Sequence, residues 1–142
     1  MIHGDVLGER ARLTPEKTAL VYVPTGERLS YGELDRRARA TAASLLGLGL
    51  RPGDRVGLLA HNRVEFLDVF FAAGSSGLVV VPIGTRLTVS EMAFIAGDAG
   101  LSALVYDGAF AANAGELKEL AGIPHLIALD APLEPAGMQF PP

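Results

Sequence analysis

Cysteine is absent from this chain of 142 residues. Its absence excludes disulfides, thiolate metal sites and a cysteine nucleophile within the chain. An excess of positive charge is absent too, because 12 Lys and Arg residues stand against 16 Asp and Glu residues, with the two signs interspersed. A nucleic-acid surface would need a basic stripe. We therefore expect no nucleic-acid partner.

Long uninterrupted apolar runs are also missing. The longest apolar tract, residues 66–83, is broken by Asp68 and by the segment Gly74–Gly77. A membrane-spanning helix needs about 20 mostly apolar residues. The N-terminus carries charges such as Asp5 and Glu9 and has no apolar core of a signal peptide. We expect no membrane span and a cytoplasmic protein.

The common catalytic and phosphate-binding motifs do not occur. Gly47 and Gly49 begin a dinucleotide fingerprint, but its third glycine is missing and the pair follows a helix pattern. Neither a GxxxxGK[ST] loop nor a GxSxG nucleophile elbow is found. The histidines His3, His61 and His125 are too far apart to form an i,i+4 metal pair. We predict no catalytic residue and no metal ligand.

The pattern that is present alternates strands with helices. Apolar runs begin near residues 55, 78, 102 and 125, so the steps are 23, 24 and 23 residues, and each gap holds one helix pattern. This rhythm predicts a three-layer α/β fold with a mainly parallel sheet and right-handed crossovers. Residues 18–23 and 28–31 flank a turn and predict an N-terminal β-hairpin.

Several short signals predict where helices begin. Thr14-Pro15 is typical of a helix start, and Ser30 and Thr88 each precede a glutamate by three residues, which is a capping box. Asn62 is predicted to cap a helix from Val64 to about residue 73 that is apolar nearly all round and so deeply buried. The segment Gly74–Gly77 is predicted to end that helix. An anion-binding nest is the alternative.

The C-terminal stretch has a different composition. Residues 131–142 contain four prolines and no periodic pattern. We predict one α/β unit over residues 1–130, followed by a proline-rich linker toward a further part of a longer polypeptide.

Arg86, with Thr85 beside it, is the strongest candidate for ligand binding. Both follow the apolar run 78–83 and precede the capping box at Thr88. An arginine at the carboxyl edge of a parallel sheet can bind a phosphate or carboxylate with its planar fork. The alternative is an arginine that only pairs with a neighbouring acid. His61 lies at the same kind of strand end, and the alternative for it is an ordinary turn residue.

Four segments in order carry a family resemblance: GERLSYGEL, RPGDRVGLL, NRVEFLDVFFAAGSSGLVVVP and RLTVSEM. Together, over about residues 14–107, they resemble the N-terminal region of the adenylate-forming superfamily. That superfamily includes acyl-CoA synthetases, luciferases and the adenylation domains of peptide synthetases. The resemblance implies a ligase that uses ATP and Mg²⁺ to convert a carboxylic acid, a fatty acid in the first instance, to an acyl-adenylate. Coenzyme A then accepts the acyl group.

The resemblance also implies one site residue and several missing parts. Arg86 matches the arginine that can contact the CoA nucleotide phosphate, although Gly84 replaces an asparagine common in relatives. Ser75 and Ser76 likewise replace a more usual basic–small pair. The family's lysine-terminated phosphate loop, its acidic ribose-binding residue and the lysine of its C-terminal domain have no equivalents here. The chain therefore resembles an N-terminal fragment that is inactive alone, with the remainder of the enzyme as its partner.

Other functions stay open. Within the superfamily, the parent could be a fatty acyl-AMP ligase or a peptide-synthetase adenylation domain. A stand-alone flavodoxin-like binding module is an alternative of a different class. A fragment would leave apolar surface bare, so we also expect self-association into a homo-oligomer.

Overall fold

The computed structural model describes residues 4–129, and the predicted linker at residues 131–142 lies outside them. The described elements alternate as the sequence pattern predicts. In chain order they are α1 Val6–Leu13, β1 Thr18–Tyr22, β2 Glu27–Ser30, α2 Tyr31–Gly47, β3 Arg55–Leu59, α3 Val64–Ser76, β4 Val79–Pro82, α4 Val89–Ala99, β5 Ala103–Tyr106, a 3₁₀ turn Gly108–Phe110, α5 Ala111–Ala121 and β6 His125–Ala128.

The central sheet has four strands in the order β4-β3-β5-β6, and every pairing in it is parallel. The strand β3 lies at its centre, with Val56 opposite Val80 on one side and Ala103 on the other. The strands β1 and β2 form a separate antiparallel hairpin. The prediction of a parallel sheet with an N-terminal hairpin is therefore confirmed.

Helices cover the sheet on both faces. Successive strand residues point to opposite faces, so Leu58 packs with α2 and α3 while Leu59 packs with α4 and α5. This confirms the predicted three layers. A third cluster joins α1, the hairpin and the outer side of the α2–α3 layer, with Leu7, Leu29 and Leu34 at its centre.

The prediction of a helix start at Thr14-Pro15 is wrong. The helix α1 lies before it and ends there, where the Thr14 N–H donates to the Arg10 carbonyl at 2.9 Å. Asp5 caps its start by accepting from the Gly8 N–H at 3.1 Å. The helix is held by burial of Leu7 and Ala11, which are four residues apart. One such pair is too weak a pattern to recognise in a sequence.

Both capping boxes form, but the predicted cap at Asn62 does not. Ser30 and Thr88 accept from the N–H of the glutamate three residues on, and each glutamate accepts in return. The N-cap position of α3 is Arg63, which makes no side-chain capping bond. The helix nevertheless begins at Val64, as predicted.

The helix α3 is longer and less buried than predicted. It continues to Ser76 and ends at Gly77, whose φ of 76° is left-handed. The hydroxyls of Ser75 and Ser76 donate to the Ala72 carbonyl, so this segment is helix and not an anion nest. Phe70 is 46% exposed, although Val69 beside it is fully buried. Since the sheet and the other helices contact only part of α3, an apolar sequence all round did not mean burial all round.

An ion pair between α2 and α3 lies within the helical layer. Asp68 is 1% exposed and accepts from Arg37 through both oxygens, with the shortest contact, 2.7 Å, from Nη2 to Oδ2. The Thr41 hydroxyl donates to the Arg37 carbonyl at 3.0 Å, so this buried hydroxyl is satisfied as well.

Among residues 4–129, no helix is both long and apolar enough to cross a membrane.

Candidate functional site

Three loops meet at one edge of the parallel sheet. They follow the carboxyl ends of β3, β4 and β5, and they span residues 60–63, 83–88 and 107–110. In open parallel sheets, ligands bind outside this edge. The edge therefore contains all the candidate site residues: Thr85, Arg86 and His61.

The loop after β4 is fixed at both ends. Ile83 is buried, and its N–H continues the ladder by donating to the Leu58 carbonyl at 2.9 Å. Thr88 starts α4 with its capping box. Between them, the Leu87 N–H donates to the Gly84 carbonyl at 3.3 Å, which closes a tight turn. Thr85 and Arg86 occupy the two corner positions of that turn.

The Arg86 guanidinium is available for a ligand. The residue is exposed, and it makes no hydrogen bond or ion pair with any other residue in the range 4–129. Thr85 beside it is half-buried. Gly84 does not have a positive φ, and a Cβ added there would lie 3.4 Å from the Leu87 Cγ, an ordinary contact. The turn therefore does not require glycine at this position.

The loops after β3 and β5 are joined by charge. The Arg63 Nη1 lies 3.4 Å from the Asp107 Oδ2, and the Arg63 Nε donates to the Glu65 Oε2 at 2.8 Å. Asp107 also accepts from the Ala109 N–H at 3.1 Å, which starts the 3₁₀ turn. The connection after β3 leads to β4 at one edge of the sheet, whereas the connection after β5 leads to β6 at the other edge. The Arg63–Asp107 ion pair therefore links the two loops that border the crevice at this topological switch point, and we call it the Arg63–Asp107 clamp.

His61 is exposed and lies against an aromatic ring at the same crevice. Its ring centroid is 4.8 Å from that of Phe110, at an interplanar angle of 50°. The structure therefore brings His61 next to the loop that follows β5. Within residues 4–129, no hydrogen bond, ion pair or ring contact joins His61 to Arg86, although their loops follow adjacent strands.

Arg63 also controls the protonation of its neighbour on α3. Burial acts to raise the pKa of Glu65, but hydrogen bonds from Arg63 and the backbone, with the charges of Arg63 and Arg37, outweigh it and lower that pKa. Because Arg63 forms ion pairs with the carboxylates of Glu65 and Asp107, its positive charge is already compensated at the crevice. The cation that remains available at this edge is Arg86.

A cavity opens between the hairpin and the start of α3. Its volume is about 250 Å³, and its walls are mostly apolar, including Leu20, Tyr22 and Phe66, with Asn62 and Arg63 at its rim. The position beside the loop after β3 places it at the same edge of the sheet. Among the described residues that line it, the paired Arg63 is the charged one.

The residues present fit a phosphate better than a metal ion. No group of three or more His, Asp or Glu side chains in the described part of the chain could hold a metal ion. Arg86 has the charge and the geometry to hold a phosphate or carboxylate. At the carboxyl ends of the strands, Arg86 therefore offers an anion contact.

Sequence reasoning missed the Arg63–Asp107 clamp and the His61–Phe110 contact. In each pair the partners are more than 40 residues apart in sequence, and they meet because β3 and β5 are neighbours in the sheet. The signal that could have found them was the set of polar residues in the loop after each strand. These polar residues could be paired only by knowing that β3 and β5 are neighbours in the sheet, and the sequence does not give the order of the strands.

Comparison with known proteins places the chain in a family. The family described as AMP-binding enzyme matches residues 7–139. The long-chain-fatty-acid–CoA ligase FadD13 of Mycobacterium tuberculosis is 40% identical over 103 residues, which are 72% of this chain and 20% of that protein. A feruloyl-CoA synthase of an Amycolatopsis species is 41% identical over 97 residues, or 68% and 19%. The chain thus spans about a fifth of the length of these curated relatives.

Solved structures agree with the sequence matches. The inhibitor-bound N-terminal domain of FACL13 from Mycobacterium tuberculosis superposes with a TM-score of 0.84 at 34% identity, covering 89% of this chain and 33% of that one. A putative long-chain-fatty-acid CoA ligase from Rhodopseudomonas palustris gives 0.83 at 31% identity, covering 95% and 34%. The fold, the ordered motifs and the extent of the family match lead to one conclusion: this chain belongs to the family of AMP-binding enzymes.

Proposed function

We propose that this chain is the N-terminal α/β portion of an ATP-dependent acid–CoA ligase. The observation that carries the proposal is the joint match, in sequence and in structure, to fatty-acid–CoA ligases. The complete enzyme would join a carboxylic acid to AMP and then transfer the acyl group to coenzyme A. Mg²⁺ would neutralise phosphate charge in the first step. The remainder of the enzyme would supply the ATP and Mg²⁺ contacts.

A fatty acid is the proposed acid. The most extensive curated match reported above is a long-chain-fatty-acid ligase, but a feruloyl-CoA synthase is equally similar. An aromatic acid is therefore the competing substrate. Assaying the complete enzyme for ATP- and CoA-dependent thioester formation on a series of fatty and aromatic acids tests both the reaction and the acid. No thioester with any acid would contradict the proposal.

Arg86 is the residue of this chain that we assign to the second step. Its free guanidinium, held on a capped turn, would contact a phosphate of the CoA nucleotide, with the Thr85 hydroxyl beside it. A charge-assisted hydrogen bond contributes about 1.5–3 kcal/mol. Replacing Arg86 with alanine should therefore raise the KM for CoA about tenfold or more, since tenfold corresponds to about 1.4 kcal/mol.

The experiment separates the two half-reactions. Arg86→Ala should leave adenylate formation, measured by pyrophosphate exchange, within about twofold. Arg51→Ala is the matched control, because Arg51 is exposed and precedes β3 at the opposite edge of the sheet. An unchanged KM for CoA in Arg86→Ala would remove the CoA role and favour a carrier protein or another acceptor.

The proposal extends to the chain by itself. Alone it should catalyse neither half-reaction, and it should self-associate, because Val23, Phe94 and Leu120 are each more than 60% exposed. A clean monomer by light scattering at high concentration would contradict the second expectation. A cytoplasmic location is also part of the proposal, and cell fractionation tests it.

A further inference from the structure

The charges around Arg63 include one acid more than that arginine needs. The Arg63 Nε lies 2.8 Å from the Glu65 Oε2, and the Arg63 Nη1 lies 3.4 Å from the Asp107 Oδ2. One positive charge thus faces two negative charges. Together with the exposed Arg86, these groups make two arginines and two acids on and beside the loops that border the crevice.

The two arginines lie on loops that start side by side. Leu58 of β3 is opposite Pro82 of β4, and the loops that contain Arg63 and Arg86 follow these strands. Neighbouring strands are about 4.8 Å apart, so charges on the two loops contribute to one electrostatic potential. A phosphate bound at Arg86 would therefore experience the charge of Arg63 together with the charges of its two acids.

Local structure holds both acids in place. The side chains of Glu65 and Asp107 are 26% and 15% exposed, so solvent screens their charges only in part. The Asp107 Oδ1 also accepts from the Ala109 N–H at 3.1 Å, where the 3₁₀ turn begins. Glu65 belongs to the first turn of α3. Each carboxylate is therefore fixed by its own element, and both are directed at Arg63.

We propose that Glu65 and Asp107 are specificity-determining residues, which cancel the charge of Arg63 and restrict the crevice to a ligand that presents one phosphate group to Arg86. A second uncompensated arginine would attract any more highly charged anion, because attraction between charges carries little information about shape. The two acids thus give up affinity for selectivity. This inference rests on the proposed function, because the ligand is taken to be coenzyme A.

Replacing either acid with its amide in the complete enzyme tests the proposal. Asp107→Asn and Glu65→Gln each remove one negative charge and keep an amide oxygen as acceptor. The two thiols to compare are coenzyme A and dephospho-CoA, which lacks the 3′-phosphate and is less negatively charged. Each variant should raise the ratio of the KM for dephospho-CoA to the KM for coenzyme A at least threefold, and high salt should reduce this gain. An unchanged ratio in either variant would overturn the proposal.

Two controls separate charge at the crevice from other effects. Glu116→Gln removes an exposed acid on α5 that makes no side-chain hydrogen bond or ion pair within residues 4–129, and it should leave the ratio unchanged. Adding Arg63→Met to Asp107→Asn should return the ratio to that of the unmodified enzyme. A ratio that stays raised in this double variant would contradict the proposal, because the uncompensated Arg63 would not be its cause.

Calorimetric titration of the same enzymes with the two thiols gives a measurement that does not depend on catalysis. The ratio of the two dissociation constants should change in the variants as the ratio of KM values does. The ligase assay on the unmodified enzyme tests the proposed function separately. Thioester formation with equal ratios in all variants would refute the role of the two acids and leave the function standing.

Discussion

The α2–α3 interface and the loop after β4 each contain one prominent arginine, and the two are placed in opposite ways. Arg37 has a 13% exposed side chain and grips Asp68 through three hydrogen bonds. Arg86 is exposed and has no partner in the described part of the chain. Arg37 therefore contributes to the packing of two helices, whereas Arg86 is the cation that we propose for ligand binding.

The buried Arg37–Asp68 ion pair carries a desolvation penalty that its hydrogen bonds must offset. Burial raises the pKa of Asp68, against the opposing hydrogen bond and charge of Arg37. The hydrogen bond that Arg37 donates to Asp68 in turn raises the pKa of Arg37. We take the bidentate geometry to keep both groups charged near neutral pH. Such a pair adds little net stability, but removing one partner leaves a buried charge unpaired.

The largest expected effect comes from breaking that pair. Arg37→Ala should lower the free energy of unfolding by about 3–5 kcal/mol, because Asp68 would remain buried without its partner. Urea denaturation followed by circular dichroism measures it. Asp68→Asn should cost less, since an amide needs no counter-charge. Equal losses would mean that packing, not charge, dominates at this interface.

A smaller effect is expected from the cap that supports the Arg86 turn. Thr88→Ala should cost about 1 kcal/mol, and Ser30→Ala about as much, because both residues form the same capping box. Thermal unfolding gives both values. Only Thr88→Ala should also raise the KM for CoA in the complete enzyme, because Ser30 lies far along the chain from the turn. A similar rise in both variants would argue against a local role for the cap.

The pH dependence of stability should distinguish two acids that are three residues apart on α3. The pKa of Glu65 is lowered by folding, so its stabilisation is present above its unfolded pKa and is lost as pH falls through the folded value. The pKa of Asp68 is raised, so its burial penalty is relieved as pH falls through its folded value.

The measurement is the free energy of unfolding between pH 7 and pH 3. Glu65→Gln should reduce the loss of stability on the acid side, whereas Asp68→Asn should steepen it. If both variants changed the pH dependence of the free energy of unfolding in the same direction, folding would not shift the pKa values of Glu65 and Asp68 in opposite directions.

The smallest expected effect on stability is that of Arg86 itself. Arg86→Ala should change the free energy of unfolding by less than about 0.5 kcal/mol, as for other exposed residues without partners. Chemical denaturation beside Arg37→Ala provides the contrast. A loss above 1 kcal/mol would show that Arg86 has a structural partner and would weaken its assignment to a ligand.

The sequence predicted the elements with local signals. The capping boxes at Ser30 and Thr88 and the spacing of the strands can be recognised from the sequence alone, and the structure contains each of them. The α1 helix was missed because its two buried residues gain their burial from α2. The predicted cap at Asn62 was wrong because the N-cap position is Arg63, whose side chain pairs with Glu65 and Asp107 and makes no capping bond.

The candidate site was only partly predictable, for the same reason. Arg86 was found because a strand, a turn and a capping box surround it in sequence. The Arg63–Asp107 clamp and the Arg37–Asp68 pair depend on which strands and helices become neighbours. Hydrophobic periodicity indicates which face of an element is buried but not what it is buried against.

The central position of β3 has a consequence for how the polypeptide is made. One edge of β3 pairs with β4, the next strand in the sequence. Its other edge pairs with β5, where Val56 lies opposite Ala103, and this pairing requires that α3, β4 and α4 have been synthesised first. At ribosomal speeds of about 5–20 residues per second, roughly one to five seconds separate the two pairings. Throughout that interval one edge of this apolar strand has no partner in the nascent chain, and an unpaired strand edge is prone to aggregation.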